Sequence, residues 1–167
     1  MRNIIRLSLM IICFWASLTS FTSEEGSIKL AGPQGDISLS VIANSKGAPS
    51  EISFSKLKSV FRGEQQRWKD GTKVTLALMK TSTPIGDEIA KRLLGMTSKE
   101  LNKYFLAQVF QGKMSAPQFF DSEEELVIFI KNNAGAIGIL GSKNTGSLNP
   151  ILVDGKKNIL TKSILSN

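Results

Sequence analysis

The stretch Gly135-Ala136-Ile137-Gly138-Ile139-Leu140, GAIGIL, sets the reading of this chain, because two glycines stand three residues apart in a run that is otherwise apolar. It follows a helix-like segment and leads into a turn rich in glycine and serine. It therefore reads as a short buried strand whose glycines admit close approach of a backbone or a ligand.

Upstream, Ser122-Glu123-Glu124-Glu125 has the S-x-x-E form of a capping box and predicts a helix. Leu126, Ile128 or Phe129, and Ile130 supply its apolar face, and it ends near Asn133. The three glutamates suit the positive end of that helix rather than catalysis. Thr97-Ser98-Lys99-Glu100 is a box of the same kind and predicts a helix to about Gln111, with Met114 to Phe120 irregular after it. Lys73 to Met79, KVTLALM, reads as a central strand, followed by Lys80-Thr81-Ser82-Thr83 and a helix from Pro84 to Leu94 that Gly95 ends.

Nearer the start, Ile37 to Ala43 reads as a strand that becomes buried along its length. Phe54, Leu57, Val60 and Phe61 recur at helical spacing, with Gly63 as the stop. Trp68-Lys69-Asp70-Gly71 is a tight turn, in which Trp68 is read as packing and Asp70 as a turn former. Beyond GAIGIL, residues 150–161 read as a hairpin-like extension turning at Asp154-Gly155. Alternating strands and helices make the class α/β, with no repeat and no long linker, so one domain is expected over residues 23–167, its core at about 37–140.

Residues 1–22 are read as a signal peptide: Arg2 and Arg6 precede an apolar run from Leu7 to Leu18, too short for a membrane span of roughly 20 residues. Ile11 and Ile12 stand before Cys13 where small residues would mark a lipid anchor. Removal of that segment leaves no transmembrane segment in the mature chain, and periplasmic localisation follows. It also removes the sole cysteine from a chain that has no histidine. Thiolate and imidazole metal sites, cysteine nucleophiles and histidine-dependent triads are thereby excluded; no catalytic residue, metal or cofactor is expected.

The net charge is +7, falling to +5 without Arg2 and Arg6. The excess is thinly spread lysine with no basic run, which points away from nucleic acid and suits a small anion or an anionic surface. Lys80, Thr81, Ser82 and Thr83 are the candidate ligand-binding residues, because hydroxyls, a lysine and a helix start can hold an oxyanion at the end of a strand. The same residues also read simply as an N-cap with Pro84 at the first helical position.

Several stretches taken together carry a family resemblance: Val41-Ile42-Ala43-Asn44, Phe61-x-Gly63, Trp68-x-Asp70-Gly71, Leu94-Gly95-Met96, Phe110-x-Gly112-Lys113 and Gly135-Ala136-Ile137-Gly138. Over roughly Ile37 to Leu140 the chain resembles the substrate-binding proteins of phosphate ABC transporters. The resemblance implies a single lobe of a periplasmic-binding-protein-like (type II) fold, a mixed sheet flanked by helices. It also implies phosphate or a similar oxyanion as ligand, and an ABC transporter, sensor or envelope protein as partner. Full-length relatives close two lobes over phosphate and carry an arginine and a Ser-Gly-Thr loop at a helix start. Here Lys80 to Pro84 keeps hydroxyls without that arginine or glycine, and Ile139 stands where an aromatic is common. The alternative expectation is a non-catalytic envelope interaction module that keeps the fold without the ligand.

Overall fold

A computed structural model describes residues 38–141 and 145–160. The expected signal peptide, the leader up to residue 37 and the last residue of the expected C-terminal extension lie outside that range.

The elements follow in the order β1 (Ser38–Ala43), β2 (Glu51–Ile52), α1 (Phe54–Phe61), β3 (Thr75–Met79) and α2 (Pro84–Glu88). A π-helical turn, Ile89–Leu94, continues α2 directly. Then come α3 (Ser98–Phe110), β4 (Gln118–Phe120), α4 (Glu123–Asn132), β5 (Ala136–Leu140), β6 (Leu152–Val153) and β7 (Ile159–Leu160). Helix starts are set by hydroxyl caps: Ser53, Thr83, Thr97 and Ser122 each accept from a first-turn backbone N–H. Thr97 and Glu100 form the complete box. At Ser122 the hydroxyl accepts from Glu125 N without a return bond from the Glu125 carboxylate, and Glu123, the first helical residue, accepts from Gly141 N.

Five strands form the main sheet in the order β4-β3-β5-β1-β7. β3 runs parallel to both β4 and β5, whereas β1 is antiparallel to β5 and β7. β3 and β5 are apolar on both faces because helices cover both, the pattern of a central parallel strand. On one face Val41, Leu76, Leu78, Ile137 and Ile139 pack with Leu57 and Phe61 of α1, Leu93 of the π turn and Phe105 of α3. On the other, Ile42, Ala77, Met79 and Leu140 pack against Leu126 and Ile130 of α4.

The glycine spacing in GAIGIL answers to that second face. A Cβ at Gly138 would stand 2.7 Å from the Ala77 carbonyl oxygen, 2.8 Å from Ile130 Cδ1 and 3.0 Å from Leu126 Cδ2, so α4 lies directly on bare backbone there. Gly135 is needed for another reason: its φ of +75° is a conformation that side chains resist, and a Cβ would run into the Lys73 carbonyl.

Three findings differ from the expectations. Residues 118–120, read as irregular, form the edge strand β4: pairing with β3 decides its state, because three residues after a proline carry no periodic signal. The Asp154-Gly155 turn reverses the chain, with Val153 opposite Lys156, but its arms separate: β6 joins β2 in a parallel two-stranded sheet and β7 joins β1. On α4, Phe129 is the half-buried residue and Ile128 is exposed.

Candidate functional site

β3, β4 and β5 are parallel, so their carboxyl ends form one rim, and the loops that leave it set the candidate site. Lys80 N donates to Phe120 O (2.9 Å), which ties the loop Lys80–Thr83 to the neighbouring strand. Thr83 N and Oγ1 both donate to Lys80 O, at 2.9 and 2.7 Å, so the loop is a closed turn. Thr83 Oγ1 also accepts from Gly86 N (3.1 Å), the N-cap bond. A Cβ at Gly86 would run into the Lys80 carbonyl, so α2 begins in direct contact with the turn.

The starts of three helices meet this rim. α2 begins at Pro84; Ser98, the first residue of α3, reaches Thr81 O with its hydroxyl (3.3 Å); and α4 bonds Gly141, just beyond β5, through Glu123. Helix N-termini carry partial positive charge, so the rim favours negative groups. The protein supplies several itself. Lys80 Nζ pairs with Asp121 Oδ2 at 2.6 Å, with both side chains substantially exposed. Asp87, in the first turn of α2, accepts from Lys91 Nζ (2.6 Å) and from Ser98 Oγ (2.6 Å). The Lys91 bond, followed by the Ser98 bond, holds the Asp87 carboxyl below the usual carboxylate range.

All four predicted residues thus stand in one turn, but in different states. Lys80 is paired, Thr81 Oγ1 accepts from Asn102 Nδ2 (3.0 Å), and Thr83 is the cap. Ser82 is exposed, and among the described residues its hydroxyl has no partner. Asp121, Asn102, Ser98 and Asp87 were not anticipated. Asp121 follows Phe120, and only the parallel pairing of β3 and β4 places it beside Lys80. Among the described residues no group of three or more His, Cys, Asp or Glu side chains is placed to hold a metal ion.

The opposite rim is of another character. Trp68 is 5% exposed and its indole N–H donates to Gly135 O (2.9 Å). A cleft of about 580 Å³ lies beside it, lined among others by Ile52, Pro49 and Lys56.

No family model matches the sequence, and no curated protein matches it. Solved structures do. The chain is similar to a candidate phosphate ABC transporter substrate-binding protein from Clostridium perfringens with bound phosphate, with a TM-score of 0.54 and 12% identity over 71% of this chain and 46% of that one. It is also similar to PstS from Borrelia burgdorferi, with a TM-score of 0.53 and 20% identity over 71% and 48%. An ABC-type phosphate transport receptor from Vibrio cholerae gives 0.53 and 12% over 70% and 46%. The chain shares the fold of the matched part of these structures, a mixed sheet flanked by helices. This lobe spans a little under half the length of the solved chains it matches, as the sequence resemblance implied.

Proposed function

We propose that this lobe is an exported, non-catalytic solute-binding protein of the periplasm. In this reading it takes phosphate or a similar oxyanion at Lys80, Thr81, Ser82 and Thr83 and presents it to an ABC transporter or sensor. The observation that carries the proposal is positional: a turn with three hydroxyls and a lysine closes the central parallel strand where three helix N-termini gather, in a fold shared with phosphate receptors. Ser82 offers a free hydroxyl, and the entering anion takes Lys80 from Asp121. Affinity is modest, because an open rim leaves the ligand hydrated and the anion competes with a built-in carboxylate.

Isothermal calorimetry of the anion-stripped protein with phosphate, beside sulfate and chloride, tests this. Saturable heat with phosphate that falls in Ser82→Ala and Lys80→Gln is expected. Asp121→Asn should tighten binding by up to about fivefold, since an exposed ion pair is worth at most about 1 kcal/mol. Silence at millimolar phosphate in both the wild type and Asp121→Asn refutes the site.

The second reading, an envelope interaction module that keeps the fold without the ligand, is favoured by the internal satisfaction of the rim. Lys80, Thr81 and Thr83 already have protein partners. Stable capture of an envelope protein with no response to anions separates it from the first.

A further inference from the structure

We infer that the outward face of α3 docks on an anionic membrane surface. The inward face of α3 carries the buried Leu101 and Phe105. Its outward face mixes charge with apolar surface: beside exposed lysines, Leu106 is 59% and Phe110 82% exposed. Lys99, Lys103, Leu106 and Phe110 follow one another at spacings of four, three and four, which puts them in a single stripe along the helix. Lys113 stands exposed just past its end. Among the described residues, none of these three lysines makes an ion pair. Glu100 accepts from Thr97 N and Oγ1 in the capping box and interacts with Lys103 through charge without forming an ion pair.

Area and charge select the occupant. Leu106 and Phe110 together expose on the order of 300 Å², well short of the roughly 800 Å² that each side of a stable protein interface contributes. A second copy packed through the same face would present the same stripe, which holds no carboxylate to pair with Lys99 and Lys103. A lipid surface needs no complementary shape: it admits two projecting apolar side chains, and its anionic headgroups pair with the lysines around them. Asn102 of the same helix bonds Thr81, so docking sets the carboxyl rim beside the membrane.

Protein expressed from the full 167-residue sequence would be purified in its processed form, so that all variants share one N terminus. Flotation is then measured with vesicles of phosphatidylglycerol and phosphatidylethanolamine against vesicles of phosphatidylcholine alone. Binding only to the anionic vesicles, weakening with salt, is the expected result. Leu106→Ser with Phe110→Ser should lower the partition at least about tenfold, and Lys99→Gln with Lys103→Gln by about fivefold per charge. In Phe110→Trp, brominated phosphatidylglycerol should quench the added indole, a readout that does not depend on the polar variants folding. The inference is overturned by equal binding to both lipids, by unchanged binding in both double variants, or by no quenching. A dimer in solution that Phe110→Ser dissociates, or an acidic protein partner lost with the same substitution, also overturns it.

Discussion

The two rims of the parallel strands are built in opposite ways. At the amino rim, one indole is buried against Gly135, Gly135 N donates to Lys46 O (2.8 Å), and Gly47 lies against Trp68 and Thr72. At the carboxyl rim, short polar side chains are joined by hydrogen bonds and ion pairs that remain in reach of water. Burial of a large ring stabilises by several kcal/mol, whereas an exposed ion pair contributes at most about 1 kcal/mol. The amino rim is therefore where stability is concentrated, and the carboxyl rim is where residues can change without loss of the fold. The proposed solute site lies on the second.

Trp68→Ala gives the most severe test of that contrast. It removes a buried ring and leaves Gly135 O without its indole donor, with an expected loss of about 3–5 kcal/mol in chemical denaturation. A loss below about 1 kcal/mol would erase the distinction between the rims. Thr83→Ala at the carboxyl rim should cost about 1 kcal/mol, the usual value of a hydroxyl N-cap. The smallest effect belongs to Asp87. Its carboxyl is held below the ordinary 3.8, so the folded protein binds fewer protons there than the unfolded chain. Its contribution is present above the unfolded value and is lost as pH falls through the lower folded one. Asp87→Asn should accordingly be slightly less stable than the wild type near neutrality, with the difference closing below about pH 3.8 in denaturation curves taken across that range.

What the residues disclosed in advance was local. The starts of α1 to α4 are written in Ser53, Thr83, Thr97 and Ser122, and the stops after Phe61 and Leu94 in Gly63 and Gly95. GAIGIL declared its burial through composition. The widened turn over Ile89–Leu94 left no such mark: Ile89, Ala90, Leu93 and Leu94 are all buried, and their spacing suits an ordinary helix equally well. β4 was hidden because pairing with β3, not propensity, makes it a strand, and with it went Asp121. The candidate turn itself was visible from Lys80 to Thr83. Its partners were not, because Asn102 and Asp121 lie about 20 and 40 residues downstream and meet it only once the sheet and α3 are in place.

The position of β1 governs when the molecule can be completed. It opens the described fold, yet both of its neighbours are supplied by the far end of the chain: Ser40 faces Leu140 and Ser38 faces Leu160. During synthesis, β1 therefore has no strand of the main sheet beside it until β5, about 100 residues later, has been made. Closure of the sheet is therefore limited by a long chain loop, which slows folding in the manner of non-local topologies.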